Sequence, residues 1–263
     1  VILLVDAGNT RVKWMMSTGA EPTEEDGPRG AVRVADLAAL RRVWAGNPVR
    51  RALVACVAGD ATRVALADLF AEMALEVHWL RAEPSGHGLV NAYRPPESLG
   101  VDRYAALIGA LRRFGRDCVV VSVGTALTAD MLTGDGEFLG GCIAPGPDLM
   151  RDALLRGTAR VGSVAGEWRD FPLDTGSAVE SGIALALLGV VRGMRERLVG
   201  FRVSGRAASG MPAGHAAGQL PRVLLTGGAR ACLRPLLDGE VFEVDDLVIE
   251  GLAWIARDLG YAG

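Results

Sequence analysis

Short apolar runs bounded by Gly, Pro and polar clusters alternate along the chain with stretches where Ala and Leu recur at helical spacing. The first pattern predicts buried strands and the second amphipathic helices. Val1–Val5 and Val12–Met16 flank Asp6–Arg11, which predicts two strands joined by a tight turn. Residues 17–29 are polar and read as a surface loop. A short strand is expected at Ala31–Val34, a helix at Asp36–Trp44, a buried strand at Arg51–Val57, a helix at Ala61–Leu75 and a strand at Val77–Leu80. Residues 86–103 lack periodicity and are heavily punctuated, and a strong helix is expected at Tyr104–Phe114. This order fits a mixed sheet with helices packed on it, an α/β layer architecture.

The pattern then repeats. Cys118–Val123 runs into Gly124-Thr125, and Ala126–Leu132 leads out, as in the opening hairpin. Glu137–Ala144 predicts a third strand ending in a glycine-rich turn before a helix at Pro147–Arg156. Residues 160–173 are loop-like. Asp174-Thr175 reads as a helix start, with a long helix at Ala178–Val199. Residues 204–219 are rich in Gly, Ala and Ser and are expected to form a mobile loop. Val223–Ala229 reads as strand, glycine turn and helix, and a last helix, with Asp245-Asp246 as caps, spans Phe242–Leu259. Two related halves, divided into domains at 1–115 and 116–263, each offering a Gly/Thr hairpin, imply a nucleotide held in a cleft between domains.

Composition narrows the function classes. The 263 residues carry 28 basic and 31 acidic side chains, a net charge of -3, so nothing draws the whole molecule to nucleic acid or an anionic membrane. The apolar stretches read as too short and too interrupted for a bilayer span, and no leader sequence is visible, which points to the cytoplasm. Four scattered cysteines show no C-x-x-C spacing, and buried free thiols are expected. Lys13 is the only lysine, every other basic residue being Arg.

Candidate chemistry sits in the punctuated segments. In Asp6-Ala7-Gly8-Asn9-Thr10-Arg11-Val12-Lys13, Gly8 lets backbone approach a ligand and can take positive φ. Successive N–H groups form an anion-binding concavity, and Thr10 adds a hydroxyl. Asp6 can hold Mg²⁺ through water, and Lys13 can neutralise a phosphate. An ordinary hairpin whose Asp6 caps its own turn fits the stretch alone equally well. Asp102, at a helix start, fits both a carboxylate answering the helix dipole and a general base, with Arg103 beside it able to bind a substrate oxygen.

The ordered set Asp6–Lys13, Gly100-Val101-Asp102-Arg103, Gly124–Asp130, Gly140–Gly146 and Thr226-Gly227-Gly228 closely resembles the type III pantothenate kinases, over nearly the whole chain. That resemblance implies an actin-like, ribonuclease H-like ATPase architecture of the acetate and sugar kinase superfamily. It implies ATP-dependent phosphorylation of pantothenate, with Mg²⁺, a monovalent cation (K⁺ or NH₄⁺) and a homodimer. Matched residue by residue, Asp6 to Lys13 form the first phosphate motif and Thr125 contacts ATP. Asp102 is the catalytic base. Gly100, Val101 and Arg103 bind pantothenate together with Tyr93 and Thr175. Two positions depart from the family pattern. Asp174 stands where Asn is usual, and Ser122 stands where the family places an Asp for the monovalent cation, which implies a weak or absent cation site. A different small-molecule kinase of the superfamily, and a non-catalytic nucleotide-binding regulator descended from the kinase, are the alternatives.

Overall fold

The computed structural model describes residues 1–18, 27–158, 161, 165–209 and 220–261. Parts of the loops expected at 17–29 and 160–173, and residues 210–219 of the Gly/Ala-rich segment, lie outside the described residues. The chain divides into two compact units. The first comprises Val1–Gly115, Asp135–Phe138 and Asp246–Gly263, and the second Arg116–Gly134 and Leu139–Asp245.

In the first unit, β1 (Ile2–Ala7) and β2 (Arg11–Ser17) form the expected hairpin, and β3 (Arg29–Arg33) extends it. A 3₁₀ turn leads into α1 (Leu40–Trp44), then β4 (Arg51–Cys56), α2 (Asp60–Glu72) and β5 (Glu76–Trp79). The sheet order is β3-β2-β1-β4-β5, with β1, β4 and β5 parallel. Apolar faces of β1, β2 and β4 meet Leu40, Trp44, Leu66 and Phe70 in one core. Trp44 stacks on Phe70 with ring centroids 5.8 Å apart and meets Trp14 edge-on at 6.1 Å. The punctuated stretch is more ordered than expected. It contains β6 (Ser85–Gly86) and β7 (Leu89–Asn91), too short for any sequence period to show. The helix α3 (Val101–Phe114) begins three residues earlier than expected and takes in Asp102.

The second unit repeats the plan. β8 (Cys118–Val123) and β9 (Ala126–Leu132) form a hairpin, and β10 (Glu137–Pro145) follows. The first residues of β10, Glu137 and Phe138, belong to the first unit, where they pair with β7. After α4 (Pro147–Gly157) comes α5 (Thr175–Ser209), then β11 (Arg222–Thr226) and β12 (Val241–Glu243). The order β10-β9-β8-β11-β12 mirrors β3-β2-β1-β4-β5, with β8, β11 and β12 parallel, so the two halves share one topology. Ile183, Leu187, Val191 and Leu198 of α5 pack on β8, β9 and β11 as its core. The helix α5 runs further than expected, to Ser209, and over 175–204 is long and apolar enough to cross a bilayer. Its inner face is filled by this core, the pattern of a central helix in a folded domain. The helix expected at 229 is two short 3₁₀ turns, and 241–243 is a strand rather than the start of the last helix.

That last helix, α6 (Leu247–Asp258), packs with the first unit. Its contact with α3 is backbone-close. A Cβ on Gly251 would lie 1.8 Å from the Ala105 carbonyl oxygen, and one on Gly109 2.7 Å from that of Leu247. Glycine at both positions sets the crossing, and the crossing brings the start of α6 to the first hairpin. All four cysteines are free thiols.

Candidate functional site

The hairpin register places Asp6 directly opposite Lys13, so both side chains leave the same face of the sheet. Ala7 and Val12, the last pair before the turn, are buried, and only their backbone is available to a ligand. The Gly8 N–H donates to the Arg11 carbonyl at 3.0 Å and closes the turn, leaving Asn9, Thr10 and Arg11 exposed. Gly8 does not take the positive φ open to glycine. A Cβ there would meet only the Arg11 oxygen, at an ordinary 3.4 Å. Neither backbone conformation nor packing requires glycine at position 8.

Lys13 Nζ donates to Asp246 Oδ1 at 2.8 Å, across 233 residues of sequence. The sequence presents Asp246 as a helix cap. It does occupy the cap position of α6, but its side chain makes no capping bond and turns to Lys13 instead. A pairing this distant leaves no trace in local pattern. The lone lysine of the chain was the only hint that this ammonium has a dedicated neighbourhood.

Asp102 sits in the first turn of α3, where its Oδ1 accepts the Arg103 backbone N–H at 2.8 Å. A Cβ on Gly100 would come within 2.7 Å of that oxygen, so glycine at 100 leaves room for the carboxylate. Burial raises the Asp102 pKa, against the lowering effect of the Arg103 N–H and guanidinium. Asp6 is pushed further, to about 7, first by burial and then by the negative charge of Asp102. Lys13 pulls it back and Asp246 adds to the rise. Two carboxylates that feel one another in a poorly solvated setting attract a cation. Among the described residues no group of three or more His, Cys, Asp or Glu side chains is arranged to hold a metal ion. The pair therefore fits a Mg²⁺ that takes its other ligands from water and phosphate, the habit of that ion.

Arg103 is buried, and its Nη1 donates to the Tyr93 hydroxyl at 3.0 Å. Its guanidinium also lies over the Tyr93 ring at 5.3 Å, while Tyr93 packs on Phe138. The first unit thus brings together Asp6, Lys13, Asp102 and the unforeseen Asp246, and separately joins Tyr93 to Arg103.

Three expected residues belong to the second unit. Thr125 is exposed at the tip of the second hairpin. That tip is wedged in place. The Gly146 N–H donates to the Thr125 oxygen at 2.9 Å and the Ala229 N–H to the Val123 oxygen at 2.9 Å. Side chains at Gly146 and Gly227 would collide with this turn, 2.0 Å from the Gly124 oxygen and 2.3 Å from the Val123 oxygen. Gly124 itself meets nothing nearer than 4.0 Å and, like Gly8, is not required by the fold. Ser122 pairs with Thr128 and Thr226 within the sheet. Asp130, opposite Val120, lies two residue pairs along and so shares the Ser122 face, and it is buried. Thr175 is exposed at the start of α5, where Asp174 Oδ1 accepts the Ser177 N–H at 2.8 Å. Asp caps a helix as well as Asn does, so the departure at 174 leaves the cap intact.

The duplicated strand order, each half with a hairpin and parallel strands beside it, defines the class: the actin-like ATPase and sugar kinase fold. Among solved structures, a Baf family protein from Campylobacter jejuni aligns with a TM-score of 0.63 at 17% identity, covering 98% of this chain and 99% of its own. A protein from Sinorhizobium meliloti described as a 2-dehydro-3-deoxygalactonokinase aligns at 0.54 and 14%, covering 98% and 97%. At these identities the likeness is one of fold. The family model for type III pantothenate kinase matches residues 2–197. Type III pantothenate kinases from Azoarcus sp. and Thiobacillus denitrificans are each 38% identical, over 97% of this chain and 90% and 96% of theirs. The one from Nitrosospira multiformis is 35% identical over 98% and 92%. The chain belongs to the type III pantothenate kinase family.

Proposed function

We propose that this protein transfers the γ-phosphoryl group of ATP to the primary hydroxyl of pantothenate, giving 4′-phosphopantothenate, the first step towards coenzyme A. Family membership over nearly the full length supports the reaction. The observation that carries it to particular atoms is the cluster of Asp6, Lys13 and Asp102 in one unit. Phosphoryl transfer needs positioning and charge neutralisation more than covalent chemistry.

In this reading the turn Gly8–Arg11 offers backbone N–H groups and the Thr10 hydroxyl to the ATP phosphates, and Lys13 neutralises them. Thr125 of the second hairpin also contacts the nucleotide. Asp6 holds Mg²⁺ through water, and that ion neutralises phosphate charge when bound. Asp102 accepts the hydroxyl proton as the P–O bond forms, an assistance worth roughly 10²–10⁴-fold. Its raised pKa makes it a stronger proton acceptor than an exposed carboxylate. Arg103, held by Tyr93, binds pantothenate together with Gly100, Val101 and Thr175. With Ser122 in place of a carboxylate, dependence on K⁺ or NH₄⁺ is weak or absent. The protein works in the cytoplasm as a homodimer. Phe171 and Leu173 of the second unit, 86% and 96% exposed, offer apolar surface for such an interface.

The test is transfer of radiolabelled γ-phosphate from ATP to pantothenate by the purified protein. Labelled phosphopantothenate supports the reading. Label appearing only as inorganic phosphate, or on another added alcohol in preference to pantothenate, overturns it.

A further inference from the structure

At the β5 edge of the first sheet lies a cavity of about 370 Å³ that the proposed reaction does not use. Its walls include Arg51, Arg63, Arg81, His78, Trp79 and Tyr261. The volume falls in the usual range for small-molecule sites, roughly 300–1,000 Å³. It lies away from the phosphate hairpin: four of its wall residues, Glu76 to Trp79, come from β5, with β4 between that strand and β1, and Arg51 is level with Ile2 whereas Asp6 lies near the other end of β1.

Three guanidinium groups face a single carboxylate there. Glu76 takes the Arg51 Nε hydrogen bond at 2.7 Å. Arg63 and Arg81 form no ion pair with a carboxylate among the described residues. Two of the arginines are also partly oriented. Arg63 lies over the Trp79 ring at 4.3 Å from its centroid, and Arg51 over Tyr261 at 5.1 Å. A guanidinium stacked on a ring keeps its N–H edge free for a bidentate bond and gives up less rotamer freedom on binding. Tyr261 is fixed in turn by the 3.0 Å hydrogen bond between its hydroxyl and His78 Nδ1. Arg63, stacked and without a carboxylate partner, and Arg81, also without one, stand beside the stacked Arg51 around a small-molecule-sized cavity, a set that fits oxyanions with several charges, not a neutral or cationic ligand.

We propose that this cavity is a second ligand site of the enzyme, for a small molecule bearing phosphate groups, with Arg63 and Arg81 as its principal contacts. The probe is inorganic pyrophosphate, titrated calorimetrically into the full chain with the catalytic site already filled by saturating Mg²⁺-AMPPNP. Binding of one pyrophosphate per chain is expected, weakened at least tenfold by Arg63→Ala/Arg81→Ala and unchanged by Lys13→Ala. Both arginines are exposed, so the double variant should melt as the parent does, and Arg81→Glu alone should weaken binding in the same direction. Absence of binding overturns the proposal. So does binding that survives the arginine substitutions, or that Lys13→Ala removes.

Discussion

Asp6→Asn separates what this carboxylate does for function from what it costs the fold. An aspartate held at about 7 against an ordinary 3.8 is one that the folded state prefers protonated. The unfolded chain loses that proton near pH 3.8, and the folded chain keeps it until about 7. Between these values the folded state binds more protons, so stability falls as pH rises from about 4 to about 7 and then levels off. The gap corresponds to about 4 kcal/mol at pH 8, taking ~1.4 kcal/mol per tenfold change in proton affinity. Asn has nearly the same shape and no charge, so Asp6→Asn recovers most of that amount above pH 7 and little of it at pH 4. For a chain of this size the gain raises Tm by roughly 10 °C at pH 8. Thermal melts of parent and variant from pH 4 to pH 9, without nucleotide, read the difference directly. The variant should be more stable at pH 8, with a margin that closes on acidification, and it should not turn over. A margin independent of pH, or a variant less stable at pH 8, refutes the reasoning.

The same electrostatics extend to neighbouring residues. Asp246→Ala removes the partner of Lys13 and one of the charges that raise Asp6, so the acidic limb of kcat/KM should move to lower pH while KM for ATP rises several-fold; an unmoved limb would leave Asp246 a surface contact. KCl titrated against a bulky organic cation at constant ionic strength should change activity little, and Ser122→Asp should introduce K⁺ activation; saturation of the parent at low-millimolar K⁺ would show that Ser122 does not disable the site. Sedimentation at micromolar concentration should give twice the subunit mass, and a fully active single subunit would remove the dimer.

Much of the architecture was legible because its signals are local. The strand–turn–strand pattern at Asp6 and again at Gly124 is written in consecutive residues, and both hairpins formed there. The shared strand order confirms the duplication read from that repetition. What escaped depends on distance or on small numbers. The strands β6 and β7 are too short to show a period. The α3–α6 crossing rests on Gly109 and Gly251, which look like weak points in a helix until their neighbours are known. Asp246 reads as a cap because local sequence offers it no other task, and only the folded chain brings Lys13 to it. Gly8 can take positive φ but does not, since the four-residue turn closed by its N–H needs no left-handed residue there.

Pantothenate-dependent ADP release, measured with Mg²⁺-ATP for the parent and Asp102→Asn side by side, tests the central claim most directly. The parent should release one ADP per pantothenate consumed, and the variant should show a fall in kcat of at least about a hundredfold with nucleotide affinity nearly unchanged. ADP release indifferent to pantothenate, or a variant with near-normal kcat, would contradict it.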